Sequence, residues 1–192
     1  HGRPVASPAV AFADFRRDPD RHPLKTPSGK IEIFSKALHD LGRPDEIPAV
    51  PKYIREWESP FGPEAERFPL QAIGPHTLAR VHSTLANVPL LEEAFPHRLA
   101  INPRDAEPRG IAEGTLVKVW NDRGTILVRA RLTERIMPGV VAVPQGTWWT
   151  PGPDGVDRRG NINVLTSERW TPFAFGNAQH TIMVQAAPAG RR

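Results

Sequence analysis

Ile101-Asn-Pro-Arg-Asp-Ala-Glu-Pro-Arg-Gly-Ile-Ala-Glu-Gly114, followed two residues later by Val117-Lys-Val-Trp-Asn-Asp-Arg-Gly124, carries the clearest structural instructions in the chain. Asn102 before Pro103 reads as a helix N-cap with proline at the first helical position, because the side chain can accept an orphan amide and proline lacks one. The helix this starts is a turn or two long and ends before Arg109-Gly110. Asn121-Asp-Arg-Gly124 reads as a compact hairpin turn, since Asn and Gly tolerate the positive φ of short β-loops, so the runs on either side pair. Working outward, apolar runs separated by turn chemistry place strands near Phe68–Ile73, Arg98–Ile101, Leu116–Asn121, Thr125–Leu132, Val140–Pro144 and Thr181–Gln185. Val88–Phe95 is a second short helix. Six strands with two short helices predict a small β-barrel over residues 68–187, because such a sheet must close or cover its edges. Residues 188–192 read as a disordered tail.

Composition bounds the rest. A chain of 192 residues with 39% hydrophobic content suffices for one domain of ordinary size plus a loosely attached extension. Its 22 prolines, 15 glycines and 2 methionines describe turns and short strands, not long helices. No internal repeat stands out. With no cysteine, disulfides, thiolate metal sites and iron–sulfur ligation are excluded for these residues. The charge, 25 basic minus 21 acidic or +4, suits an anionic small ligand but lacks the dense basic stripe of a nucleic-acid binder. No apolar run approaches the roughly 20 residues of a membrane span, so direct membrane insertion is not expected. His1-Gly-Arg-Pro offers neither a signal region nor an initiator methionine, which suggests a piece of a longer protein.

Residues 1–67 are expected to form an extended arm and strap. Residues 1–29 lack helical or strand periodicity, and Thr26-Pro-Ser-Gly-Lys-Ile-Glu-Ile-Phe-Ser35 reads as a turn followed by a short alternating strand. Ser35 can cap a short helix to about Leu41. Between Pro44 and Pro69 prolines and charges recur too often for regular structure, while Tyr53, Trp57 and Phe61 supply aromatic anchors.

Two polar stretches flank strands and crowd donors where a core would not use them: Gly74-Pro-His-Thr-Leu-Ala-Arg80-Val-His82-Ser83-Thr84 and Gly176-Asn-Ala-Gln-His180-Thr181. They suit the two halves of a phosphate-rich cofactor site. Gly74-Pro75 ends a strand in a turn able to expose the amides of His76 and Thr77, Arg80 offers a planar fork for phosphate, and His82, Ser83 and Thr84 add short donors. Asn163 carries an acceptor and two donors for a heterocycle edge, and Asn177, Gln179 and His180 lie before the last strand. Each also has a structural reading: His76 as a loop histidine, Arg80 as a surface ion pair, Asn163 as a turn residue, and 177–180 as an ordinary loop. Trp148-Trp149 reads first as packing, and Asp154-Gly-Val-Asp157-Arg-Arg-Gly160 as a solvated loop.

Taken together, the 101–124 stretch, Thr26–Ser35, Arg80–Thr84 with Asn87, Gly160-Asn-Ile-Asn163-Val-Leu-Thr166 and Gly176–Thr181 resemble the C-terminal molybdopterin-dinucleotide-binding domain of the dimethyl sulfoxide reductase family, with the blocks in the expected order. The likeness is greatest to catalytic subunits of membrane-bound, iron–sulfur-containing members. The resemblance implies a six-stranded double-psi β-barrel behind a long irregular N-terminal strap, with the Gln145–Trp149 loop, by its counterpart in relatives, near the pterin and the substrate funnel. It implies that Gly74, Pro75, His76, Thr77, Arg80, His82, Ser83, Thr84, Asn163, Asn177, Gln179 and His180 hold bis-molybdopterin guanine dinucleotide with molybdenum. In the family the metal is bound by pterin sulfurs and a side chain from an earlier domain, so neither a catalytic nor a metal-ligating residue is expected here, and Ser83 is not that ligand. The implied setting is a bacterial, membrane-associated enzyme on the exported face. Its implied partners are the upstream domains, an iron–sulfur subunit and a membrane anchor. It would reduce a sulfoxide or amine oxide, and this piece alone would be inactive. Two alternatives remain: the same domain from a formate, nitrate or thiosulfate/polysulfide enzyme, and a free-standing double-psi barrel without redox activity.

Overall fold

The computed structural model describes residues 9–190, and the chain divides into two units at Ile54 and Arg55. In the first unit, α1 (Ala13–Arg17) and α2 (Lys36–His39) are single turns of helix. Ser35 caps α2, its side chain accepting from the Leu38 amide. The strand expected around Ile31–Ile33 does not form, and both isoleucines are about three-quarters exposed, at 74% and 75%. Alternation needs a partner ladder to become a strand, and none of the described residues supplies one. The polar groups close a local turn instead: Thr26 Oγ1 donates to the Lys30 carbonyl at 2.7 Å and the Ser28 amide to Glu32 Oε1 at 2.8 Å. α1 falls where no helix is expected. Residues 1–8 of the expected arm lie outside the described residues.

In the second unit, six strands close a barrel: β1 (Leu70–Ile73), β2 (Arg98–Ile101), β3 (Leu116–Trp120), β4 (Thr125–Leu132), β5 (Val140–Ala142) and β6 (Ile182–Pro188). Around the barrel they run β1-β5-β2-β4-β3-β6, with β6 pairing back onto β1. Closure removes every sheet edge. The 121–124 turn joins β3 and β4 as an antiparallel hairpin, with Val117 opposite Val128 and Val119 opposite Ile126. These four side chains point inward by the two-residue period of the pleat and meet Leu70, Ala72, Leu99, Ile101, Ala130, Val141 and Val184 in a fully buried core. Each fully buried Val, Leu or Ile contributes on the order of 1.5–3 kcal/mol.

The punctuating residues act largely through their side chains, and the positive φ expected in the 121–124 turn is found at none of its four residues. Two short helices, α3 (Pro89–Ala94) and α4 (Pro103–Ala106), flank β2. Asn102 Oδ1 accepts from the Arg104 amide at 3.0 Å and so caps α4, while its Nδ2 donates to the Ile136 carbonyl at 2.7 Å. Asn121, buried, holds its own turn through the Arg123 amide and donates to the carbonyls of Leu165 (2.9 Å) and Met183 (3.3 Å). The irregular strap before the barrel is pinned by Glu58, which pairs with Arg123 at 2.7 and 2.9 Å and accepts from the Met183 amide. The expected disordered tail is ordered at its start: β6 runs to Pro188 and the Ala189 amide donates to the Leu116 carbonyl at 2.8 Å, extending the ladder. Residues 191 and 192 lie outside the described residues.

Candidate functional site

β1 runs parallel to β5 and antiparallel to β6, with Ile73 level with Ala142 and Ala72 level with Ile182. The chain leaving β1, the chain leaving β5 and the chain entering β6 therefore emerge at one rim. A cleft of about 380 Å³ opens there, lined by His82 and Ser83 after β1, Gln145–Trp149 after β5, Asn161 and Asn163, and Gln179 before β6.

Close contacts fix these segments to one another. Gly146 has φ +96°, and a Cβ on it would overlap the carbonyl oxygen of His82 and lie 2.7 Å from its carbonyl carbon, so only glycine lets the two backbones meet. Trp148 Nε1 donates to the Ser83 carbonyl at 3.0 Å, and the Gln145 amide to the Pro75 carbonyl at 3.0 Å. The Gly74 amide donates to His180 Nδ1 at 3.3 Å, while Gln71 Nε2 donates to the His180 carbonyl at 3.0 Å. Asn161 accepts from the Asn163 amide and caps the 3-10 turn Ile162–Leu165, leaving the Asn163 side chain exposed. Behind this wall Asp157, fully buried, accepts from the amides of Thr150 and Asn161, each at 2.7 Å. The solvated loop expected at 154–160 is thus corrected at Asp157: two amides replace the water its carboxylate would lose.

Of the expected site residues, His82, Ser83, Asn163 and Gln179 line the cleft. Gly74 and His180 meet each other, and Pro75 supports Gln145. The exposed His76 ring packs edge-on to His82 with centroids 5.3 Å apart. Thr77 accepts from the Ala79 amide at 3.2 Å. Thr84, in a bridge with Val81, and Asn177, in a bridge with Trp170, are exposed but stand outside the cleft lining.

Arg80 is placed neither as a surface ion pair nor on the cleft lining. Its side chain is only 3% exposed and lies 3.9 Å from Glu92. It also approaches His97 Nδ1 at 3.2 Å and the Gln145 carbonyl at 3.4 Å. Burial lowers its pKa from the ordinary value, with Glu92 opposing and Arg159 adding to the shift. Two features are not evident from the sequence: Asn161 and His97. The Gln145–Trp149 loop, which the resemblance puts near the pterin while its tryptophans read first as packing, lines the cleft, and the parallel β1–β5 pairing brings Gly146 opposite His82.

The lining holds hydroxyl, amide, imidazole and indole groups and no carboxylate, lysine or arginine. Thr147 Oγ1 is buried in this wall with no partner of its own. Side-chain amides suit the donor and acceptor edges of a heterocycle, exposed indoles suit its faces, and a wall without carboxylates does not repel an anion. Among the described residues no group of three or more His, Cys, Asp or Glu side chains is placed to hold a metal ion. These features suit a polar, ring-bearing ligand.

The comparisons with known proteins agree. The family model for the molydopterin dinucleotide binding domain matches residues 70–183, and the chain belongs to this family. It is 45% identical over 182 residues to the dimethyl sulfoxide reductase DmsA of Haemophilus influenzae, covering 92% of this chain and 23% of that protein. It is 46% identical over 182 residues to DmsA of Escherichia coli, covering 92% and 22%. To the dimethyl sulfoxide/trimethylamine N-oxide reductase of Cereibacter sphaeroides it is 39% identical, covering 91% and 22%. The chain therefore spans about a quarter of the length of these relatives. Acetylene hydratase from Pelobacter acetylenicus shares the fold, with TM-score 0.72 and 20% identity over 90% of this chain and 25% of that one. The six-stranded barrel implied by the resemblance is present, and these relatives are bacterial. No helix among the described residues is long and apolar enough to cross a membrane.

Proposed function

We propose that the rim cleft clamps one end of bis-molybdopterin guanine dinucleotide in a longer molybdenum enzyme that reduces dimethyl sulfoxide or a related S- or N-oxide. The observation that carries this is the convergence at one rim of His82, Ser83, Asn163 and Gln179 with the exposed rings of Trp148 and Trp149. The bound cofactor supplies two-electron oxygen-atom transfer, and the protein supplies binding and orientation. Asn163 and Gln179 present amide edges to the heterocycle, Ser83 presents a hydroxyl, and the exposed Trp148 and Trp149 offer ring faces. Gly74, Pro75 and His180 shape the rim, while His76, Thr77, Thr84 and Asn177 stand back from the lining. Names of the similar relatives favour oxide reduction over formate, nitrate or polysulfide chemistry. By the same likeness the enzyme would work on the exported face with an iron–sulfur subunit and a membrane anchor.

The test is cofactor retention. In the longer enzyme, Asn163→Ala combined with Gln179→Ala removes two amide edges, which predicts a roughly tenfold or greater loss in cofactor affinity. Molybdenum and guanine nucleotide per mole of purified protein should fall together. Full content of both would overturn the proposal.

A further inference from the structure

His97 lies outside the cleft lining, yet it touches what holds two of its walls. Its Nδ1 is 3.2 Å from an Arg80 guanidinium nitrogen and its Nε2 is 3.1 Å from the Gly160 carbonyl oxygen. A guanidinium only donates and a carbonyl only accepts, so the ring must accept at Nδ1 and donate from Nε2, the neutral tautomer with its proton on Nε2. Arg80 leads directly into His82 and Ser83, and Gly160 into Asn161 and Asn163. The same Arg80 nitrogen reaches the carbonyl of Gln145 at 3.4 Å, the first residue of the third wall. Gly160 sits at φ +72° so close that a Cβ there would lie 2.9 Å from His97 Nε2, leaving the imidazole no slack on that side.

We infer that His97 is a positioning residue for the dinucleotide cleft: its neutral imidazole, through Arg80 and the Gly160 carbonyl, sets the spacing of the 80–83, 145–149 and 160–163 segments. This rests on the assignment of the cleft to the cofactor. The remaining charged groups around the ring are Glu92, whose carboxylate accepts from the His97 amide at 3.3 Å, and Arg159. Burial first, then Arg80 and Arg159, lower the imidazole pKa to about 4, while the Gly160 contact and Glu92 oppose the shift. A protonated ring would set a second cation against Arg80 and lose its acceptor, so acid should release the latch. With an ordinary histidine value of 6.5 in the opened state and about 4 in the closed one, local opening should be roughly thirtyfold more populated at pH 5 than at pH 7.5.

Hydrogen exchange, corrected for intrinsic rates, on the 192-residue chain at both pH values reads this directly. The wild type should lose protection in the three segments at pH 5. His97→Ala should lose it at both pH values, by about tenfold. His97→Gln, an uncharged side chain that can accept and donate, should recover protection at pH 7.5 and lose the pH response. Equal pH responses in wild type and His97→Gln, or protection in all three segments untouched by His97→Ala, would overturn the inference. If His97→Ala prevents folding, the glutamine variant alone decides through its pH response. In the longer enzyme, His97→Ala should lower cofactor content and His97→Gln restore it. Full content in His97→Ala, with content lost in the Asn163/Gln179 double variant, refutes the role of His97 alone. Full content in both refutes the cleft assignment instead.

Discussion

Gly146→Ala is the sharpest perturbation that the geometry offers, because the new methyl would meet the main chain of His82 and not a movable side chain. Three costs add there. A left-handed backbone costs an alanine about 1–2 kcal/mol. Overlap with a backbone carbonyl is overpacking, about 1–3 kcal/mol where neighbours cannot retreat. Separating the loops also strains the Trp148–Ser83 hydrogen bond, worth about 1 kcal/mol. The expected destabilisation is about 3–6 kcal/mol, a large share of the roughly 5–15 kcal/mol typical of a domain. The control is Gly155→Ala: Gly155 has φ +74° but nothing within 4 Å of the place its methyl would take, so only the backbone cost applies. Urea unfolding of the 192-residue chain, followed by tryptophan fluorescence, separates the two. With a slope of about 2 kcal/mol per molar, Gly146→Ala should lower the midpoint by about 1.5–3 M and Gly155→Ala by less than about 1 M. Equal midpoints for the two variants would refute the close approach of the 145–149 and 80–83 segments on which the cleft depends.

Three further outcomes follow from the same geometry. Because burial depresses the His97 pKa to about 4, the unfolded chain binds more protons between pH 6.5 and 4. The His97 contribution is therefore complete above about pH 6.5 and is lost as pH falls toward 4, by about 3 kcal/mol in all. Wild-type stability measured by urea across that window should fall by about 3 kcal/mol more than that of His97→Gln. Asp157→Asn turns one acceptor of two backbone amides into a donor and should cost about 1–3 kcal/mol, read from the same unfolding midpoint. Leu99→Ala empties a fully buried barrel position and should cost about 2–5 kcal/mol, readable by thermal unfolding, with no change expected in the hydrogen-bonded rim contacts.

The barrel was legible because its instructions are local. Alternating Val117, Val119, Ile126 and Val128 declare an inward face, Asn121 and Gly124 declare the turn between them, and Asn102-Pro103 declares a helix start. The same rule over-reads Ile31–Ile33, where alternation is present but no partner strand among the described residues completes a ladder. At the rim, the polar residues after β1 and before β6 were readable as donors crowded beside strands. Their third wall, Gln145–Trp149, was readable only through the family resemblance, since it joins them by the parallel pairing of β1 with β5, in which Gln71 lies level with the distant Val140. Arg80 and Asp157 mark a different limit. A charged residue in a polar run reads as solvated, and burial becomes tolerable only when carbonyls, amides or an imidazole supply its partners. For Arg80 those partners, Gln145 and His97, are set by topology, whereas Asp157 takes the amides of Thr150 and Asn161 from its own loop.

Hydrogen exchange of the longer enzyme, prepared with and without its molybdenum cofactor, tests the central claim most directly. The cleft assignment predicts that, within this domain, cofactor adds protection at residues 82–83, 145–149, 161–163 and 179–180 and leaves the β3–β4 hairpin unchanged. Protection appearing on the hairpin or elsewhere on the barrel, with the rim segments unaltered, would contradict it.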